Sequence, residues 1–141
     1  MPSPEIRFFA EQIDFSLPHP RKTSRWIKLV ADKENAPVGE LNFIFCDDGY
    51  LHDINLRYLQ HDTYTDIITF DNSATAGTMA GDVFISIDRV RENALKFKVP
   101  FDEELHRVIV HGLLHLIGYS DKTAPQRLAM REKEDAYLSL R

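Results

Sequence analysis

Two histidines and an aspartate toward the C-terminal end, in the run HGLLHLIGYSD, have the residue types and spacing of a metal site. His111 and His115 are four residues apart, so on an α-helix both imidazoles project from the same face. Gly118 stands where a left-handed C-cap would end that helix and turn Asp121 back toward the two rings. Three ligands of N, N and O type leave one position of a tetrahedral Zn²⁺ open, which is typical of catalytic zinc sites.

A pair of core histidines satisfied by hydrogen bonds is the alternative interpretation of this spacing. The surrounding residues are apolar, and an unsatisfied buried polar group costs about 1–3 kcal/mol, so the two imidazoles need partners of some kind. Imidazole is a poor ligand for Mg²⁺ and Ca²⁺, which favours Zn²⁺, with Ni²⁺, Co²⁺ or Fe²⁺ as acceptable substitutes. We therefore expect one Zn²⁺ per chain, bound by His111, His115 and Asp121.

The residue after the first histidine bears on the reaction. Metalloproteases of the HExxH class place a glutamate there as general base, whereas this chain has Gly112. Another carboxylate, or the metal alone, would have to activate the attacking water. A metallopeptidase-like hydrolase is therefore an alternative that is less favoured than a reaction with a better leaving group.

Length and composition fit a single globular domain. A chain of 141 residues can bury roughly two thirds of its unfolded surface, which predicts one domain over residues 1–141. The single cysteine, Cys46, lies in an apolar stretch and is expected to be a buried, unreactive thiol in a reducing compartment. Neither a signal sequence nor an apolar run near 18 residues is present, so we expect a cytoplasmic protein without a membrane partner.

The net charge of −5 counts against an extensive basic surface for nucleic acid, without excluding RNA as a substrate. Positive side chains nevertheless cluster in two places along the chain. Each cluster is typical of a solvated helix face, and the alternative is a stripe that contacts phosphates. The first cluster comprises Arg21, Arg25 and Lys28, and the second comprises Arg89, Arg91, Lys96 and Lys98.

Strands and helices alternate along the chain and must position the metal ligands. The pattern predicts strands at 5–9, 38–48, 65–71 and 81–87, a loop at 71–77, and helices at 20–35, 49–59, 88–98, 101–118 and 125–140. Asp88 is suited to cap the helix that it opens. The regular repeat of a doubly wound sheet is missing, so the order predicts an α+β fold in which a small mixed sheet packs against helices.

These motifs together resemble the YbeY family of bacterial metal-dependent endoribonucleases. The resemblance rests on HGLLHLIGY and, upstream, on NLRYLQHDTYTDIITF and AGDVFIS, and it covers most of the chain. It implies a zincin-like fold with the metal site on a helix of the C-terminal half and the turn after it. It also implies cleavage of single-stranded RNA in 16S rRNA 3′-end maturation and ribosome quality control, with the small ribosomal subunit and its factors as partners.

The family's motifs are matched unevenly. The family pattern HGxLHLxGYDH has a third histidine where this chain has Asp121, whose negative charge should make a bound water less acidic. The pattern NxxYR is matched by Asn55 and Tyr58, but Leu59 occupies the position of the arginine. Without that arginine, we expect weak RNA binding that falls steeply with salt, and the cluster of Arg21, Arg25 and Lys28 is one candidate surface for it.

Asp66 and Arg57 are candidates for a further catalytic role. The attacking group is either water or the RNA 2′-hydroxyl. Arg57 lies two positions before the missing arginine, and on a helix it would face elsewhere. Thr65 and Asp66 match the family's TD, as Gly81 and Asp82 match its GD, and for all four a structural role is an alternative. The acidic charge and the missing arginine also favour a further alternative, a ribosome assembly factor whose metal is mainly structural.

Overall fold

The computed structural model describes residues 5–60, 65–72 and 79–141. Most of the loop predicted at 71–77, and residues 61–64 of the upstream motif, lie outside these ranges. None of the helices within them is long and apolar enough to span a membrane. The elements are β1 (Glu5–Glu11), α1 (Pro20–Lys33), β2 (Val38–Cys46), α2 (Asp48–Leu59), β3 (Ile67–Asp71), β4 (Met79–Ser86), α3 (Ile87–Phe97), α4 (Phe101–Ile117) and α5 (Ala124–Leu138).

The strands form one mixed sheet in the order β1-β2-β4-β3. Strands β1, β2 and β4 are parallel, whereas β3 pairs antiparallel with β4 and lies at the edge of the sheet. The α+β class and the small mixed sheet are therefore confirmed. Every predicted strand and helix is present in the predicted order, with bounds that differ by no more than two residues.

Alternating side chains divide the sheet into two faces. Phe43, Phe45, Val83 and Ile85 belong to the main core, together with apolar residues of α1, α3, α4 and α5. The other face carries a smaller cluster in which α2 packs on the sheet, made of Cys46, Leu51, Ile54 and Ile68. Cys46 is fully buried, and burial together with nearby carboxylates raises the pKa of its thiol to about 12, so it stays protonated and unreactive as predicted.

The N-terminus of α3 differs from the prediction. Ser86, not Asp88, is the N-cap, and its hydroxyl accepts a hydrogen bond from the Arg89 backbone at 3.2 Å. The helix begins one residue earlier than predicted, so Asp88 lies within the first turn. Its carboxylate instead accepts a hydrogen bond from the backbone nitrogen of Asp48 at 2.9 Å, which ties α3 to α2.

Helix α4 packs directly against the sheet at a glycine. A Cβ at Gly112 would lie 2.7 Å from Ile67 Cδ1 and 2.9 Å from Val83 Cγ1. Such distances are too short for any side chain, so position 112 is reserved for glycine by packing against β3 and β4. Packing against the sheet therefore explains why this position does not carry the glutamate of an HExxH motif.

Candidate metal centre

Three ligand atoms converge at the C-terminal end of α4 and the turn that follows it. His111 Nε2 and His115 Nε2 are 3.0 Å apart, and Asp121 Oδ2 lies 3.4 Å from the first and 3.3 Å from the second. Among the described residues, these three form the one cluster of histidine, cysteine or carboxylate side chains suited to a metal ion. The structure therefore brings together all three predicted ligands.

The separations fit a small tetrahedral ion. Bonds of about 2.0–2.1 Å from Zn²⁺ to nitrogen or oxygen place neighbouring ligands about 3.3 Å apart in a tetrahedron. The three observed distances of 3.0, 3.3 and 3.4 Å lie around that value. An N, N, O donor set suits zinc and other borderline divalent metals better than Mg²⁺ or Ca²⁺.

Hydrogen bonds at the opposite ring nitrogens determine the tautomer of both histidines. His111 Nδ1 lies 2.6 Å from Glu134 Oε2, and His115 Nδ1 lies 3.1 Å from the Tyr119 carbonyl. A carboxylate and a carbonyl only accept, so both Nδ1 atoms carry a proton and donate it. In the neutral rings, both Nε2 lone pairs then face each other and the Asp121 oxygen, an arrangement that a cation stabilises.

The local charge also favours a cation. Burial by itself would lower the pKa of His111, but the hydrogen bond and charge of Glu134, with the charges of Asp121 and Asp66, raise it above its ordinary value. Three carboxylates thus make the surroundings of this imidazole negative, and a divalent metal would be attracted for the same reason as a proton.

Glu134 is a functional residue that sequence reasoning missed. One of its oxygens accepts from His111, and the other accepts from Arg107 Nη1 at 3.0 Å. Arg107 also donates to Asp135 at 2.6 Å. The guanidinium of Arg107 therefore neutralises the buried carboxylate of Glu134 and holds it in place. A signal existed in the sequence, because Met130, Glu134 and Tyr137 share one helical face, and an acid on an otherwise apolar stripe requires a partner.

The turn that carries Asp121 is fixed by local structure. Gly118 ends α4 with φ 124°, the positive-φ conformation predicted for it, and the Tyr119 amide donates to the Leu114 carbonyl at 3.0 Å. The Tyr119 hydroxyl donates to Glu34 at 2.5 Å, which anchors the turn to the end of α1. The turn therefore positions both the Asp121 ligand and the carbonyl that orients His115.

Two cavities adjoin the metal ligands, and His111, Asp121 and Asp66 line both. We call the one of about 420 Å³ the edge cavity, because it follows strand β3; its other lining residues are Asn55, Leu59, Thr65, Ile67, Ile68, Thr69 and His115. We call the one of about 380 Å³ the helix cavity; its other lining residues are Phe97, Glu104, Arg107, Val108, Arg127, Met130, Arg131 and Glu134. The ligands thus stand where two concave surfaces meet.

Asp66 is the predicted catalytic candidate that the structure places at the metal centre. Its side chain is half-buried and lines both cavities. Burial raises the pKa of Asp66, Glu134 and Asp121 raise it further, and the neighbouring His111 opposes the shift. A carboxylate with a raised pKa next to a metal site is suited to accept a proton.

The other predicted residues lie elsewhere. Arg57 is exposed, pairs with Asp53 at 3.1 Å and lines a separate cavity with Tyr58 and Phe70. Asp82 lies within β4 and accepts hydrogen bonds from Asn42 and Asn72, which is a structural role. Neither of the basic clusters predicted from the sequence lines the edge cavity or the helix cavity, whereas Arg107, Arg127 and Arg131 do line the latter.

Gly81 lies within β4 and has a packing role there. A Cβ there would collide with the Phe70 carbonyl oxygen and lie 2.9 Å from Leu116 Cδ2. The residue therefore allows β3 and α4 to approach β4 closely. Thr65 lines the edge cavity and its hydroxyl donates to the Ile67 carbonyl at 3.4 Å, which shapes the entry into β3.

Comparisons with known proteins find similar sequences and a similar fold. The sequence model of the family described as Endoribonuclease YbeY matches residues 7–140. Endoribonuclease YbeY of Christiangramia forsetii is 51% identical over 96% of this chain and 94% of the relative, and that of Cytophaga hutchinsonii is 52% identical over 96% and 95%. The solution structure of TM1509 from Thermotoga maritima superposes with a TM-score of 0.64 at 26% identity, covering 95% of this chain and 87% of that one.

Proposed function

The chain belongs to the YbeY family of endoribonucleases, and from this premise we propose that it is a zinc-dependent endoribonuclease that cleaves single-stranded RNA. The observation that carries the metal dependence is the convergence of His111 Nε2, His115 Nε2 and Asp121 Oδ2, with both Nδ1 atoms engaged elsewhere. The family relationship supports RNA as the substrate class. The resemblance of the motifs extends the proposal to 16S rRNA 3′-end maturation and ribosome quality control in the cytoplasm, with the small ribosomal subunit as partner.

Each residue of the centre has a distinct part in this chemistry. His111, His115 and Asp121 would hold the ion, and Glu134 and the Tyr119 carbonyl orient the two rings. A divalent ion bound there would act as a Lewis acid toward a phosphodiester and an attacking oxygen. Asp66 would accept the proton of the attacking water or 2′-hydroxyl, since it lines both cavities that adjoin the ligands.

The shape of the centre favours single strands. The ligands lie at the junction of two cavities rather than on a protruding surface. A paired helix presents its phosphates on a convex surface with its bases stacked inside, whereas a single strand can extend its bases into cavities on either side. Leu59 lines the edge cavity at the position of the family's arginine, and none of the described residues that line this cavity is a lysine or an arginine.

The test compares the protein with its His115→Ala variant on a single-stranded RNA and on a duplex of the same sequence. We expect zinc-dependent cleavage of the single strand, removed by a chelator, restored by zinc and absent in the variant. His19→Asn is a matched control, because it removes an exposed imidazole that lines neither cavity at the centre, and asparagine tolerates the positive φ of 51° there.

Two outcomes would contradict the proposal. Cleavage that survives in His115→Ala preparations would come from a contaminating nuclease or from another site. Zinc binding without cleavage of any RNA would favour the assembly factor with a mainly structural metal. A peptide substrate tested in parallel addresses the metallopeptidase alternative, which the packing around Gly112 disfavours.

A further inference from the structure

A buried carboxylate in the helix cavity has no role in holding the metal. Glu104 is only 5% exposed and lines this cavity, yet none of the described residues hydrogen-bonds to or pairs with its side chain. A largely buried carboxylate still needs hydrogen-bond donors. The Glu104 side chain lines the cavity, so water there, or a molecule that displaces the water, supplies the donors.

The distance between Glu104 and the metal ligands sets the length of a molecule that could contact both. Glu104 and His111 are two turns apart on the same face of α4, which corresponds to about 10.5 Å along the helix axis. A molecule whose reacting group lies at the metal ligands must therefore extend by about this length to reach Glu104. A nucleotide does so, with its phosphate at one end and the hydrogen-bonding edge of its base at the other.

The walls of the cavity suit a neutral, planar ring. Val108 and Met130 provide apolar surface, and Phe97 is a half-exposed aromatic ring that also lines the cavity. The carboxylates of Asp66 and Glu134 would repel an anion from the interior, but they tolerate an uncharged base. The volume of about 380 Å³ lies within the usual range of small-molecule sites, about 300–1,000 Å³.

Building on the endoribonuclease function proposed above, we propose that the helix cavity is a nucleobase site that selects guanine in the nucleotide next to the cleaved phosphodiester. Glu104 accepts the N1–H and N2–H donors of the guanine, and Phe97 stacks on the ring. Arg127 and Arg131, which are exposed and line the same cavity, face the flanking phosphate.

The preference for guanine follows from donor geometry. An ionised carboxylate has two acceptor oxygens and no donor, so it matches two adjacent N–H groups. Guanine alone among the four bases presents such a pair on its Watson–Crick edge. Adenine and cytosine present one donor beside an acceptor, and uracil presents one donor between two acceptors, so each would place a lone pair against Glu104.

The test is equilibrium binding of nucleoside 5′-monophosphates to the zinc-loaded protein, measured by calorimetry. All four share the phosphate that reaches the metal, so differences between them report the base. We expect GMP to bind about tenfold more tightly than AMP, CMP or UMP, and IMP, which lacks the N2 amino group, to lose most of that advantage. Because no cleavage is measured, the result is independent of whether the protein proves to be an endoribonuclease.

Two variants and one control identify the residues that recognise the base. Glu104→Gln should abolish the preference for GMP, whereas Glu103→Gln, which makes the same change outside the cavity, should retain it. Phe97→Leu should weaken the binding of all four monophosphates about tenfold without changing the order of their affinities. Thermal unfolding of each variant confirms that it is folded. Equal binding of the four bases, no binding of any, or an unchanged preference in folded Glu104→Gln would overturn the proposal.

Discussion

His111 Nδ1 lies 2.6 Å from Glu134 Oε2, and this contact joins the metal helix α4 to the C-terminal helix α5. The opposite oxygen of Glu134 is held by Arg107 at 3.0 Å, so the carboxylate cannot turn away from the imidazole. The contact determines the His111 tautomer, orients the ring and increases the basicity of Nε2. The geometry of the candidate metal centre thus depends on a residue that is not one of its three candidate ligands.

Replacing Glu134 should weaken zinc binding without removing a ligand. We expect Glu134→Gln to lower zinc affinity about 10-fold and Glu134→Ala up to about 100-fold, because the first keeps an acceptor and the second leaves Nδ1 without one. Competition with a chromophoric chelator measures both. Glu132→Ala, an exposed glutamate of the same helix, is the control. Equal affinities in all three variants and the wild type would show that His111 needs no such orientation.

The third ligand can be tested by exchange. Asp121→Ala should lower zinc affinity, whereas Asp121→His should retain it, because histidine restores a ligand of similar reach and changes only the charge. The same chelator competition applies, with activity on single-stranded RNA as a second readout. If the alanine variant bound zinc as tightly as the wild type, Asp121 would not be a ligand, and a water or another group would complete the site.

The local features of this protein could be predicted from its sequence, but the contacts between distant elements could not. HxxxH spacing and the Gly118 cap follow from helix geometry, so the sequence could predict which three candidate ligands come together. The pairing of His111 with Glu134 depends on how α5 packs on α4, which periodicity does not reveal. The same holds for Glu104, whose place in a cavity depends on three helices, whereas the sequence shows only an acid in the first turn of α4.

The packing at Gly112 can be tested by adding one methyl group. Gly112→Ala should destabilise the protein by about 1–3 kcal/mol, because the new Cβ would collide with Ile67 and Val83. Gly49→Ala is a matched control in α2, where the nearest atom would be 3.8 Å away. It should stabilise by up to about 1 kcal/mol through higher helix propensity. Urea unfolding checks both, and a neutral Gly112→Ala would mean that α4 can shift away from the sheet without penalty.

Acid should weaken the contacts of Glu34 that anchor the turn carrying Asp121. Burial alone would raise the pKa of Glu34, but hydrogen bonds from Tyr119 and Tyr137 and the charge of Lys133 lower it below 4.5 overall. A carboxyl with a lowered folded-state pKa stabilises fully above its unfolded pKa, and this contribution is lost as pH falls through the folded pKa. Glu34→Gln should therefore cost about 1–3 kcal/mol at pH 7 and progressively less below pH 4.5.

Urea unfolding at several pH values measures that difference. Glu40→Gln is the control, because it affects an ion pair at 3.3 Å between the exposed side chains of Glu40 and Arg7. Its free energy of unfolding should differ little from that of the wild type at any pH. A Glu34→Gln deficit that stayed constant down to pH 3 would mean that the carboxylate charge does not stabilise the fold. The turn would then be held by the tyrosine hydroxyls alone.

The salt dependence of RNA binding distinguishes between two possible surfaces. Arg127 and Arg131 line the helix cavity beside the metal ligands, whereas the cluster of Arg21, Arg25 and Lys28 lines neither cavity. For single strands, the slope of log K against log salt changes by about 0.7 for each phosphate contact. Replacing both Arg127 and Arg131 by glutamine should therefore flatten the slope by about 1.4. Replacing Arg21, Arg25 and Lys28 by glutamine together should leave it almost unchanged. The reverse result would place the RNA on α1 and separate its binding surface from the metal centre.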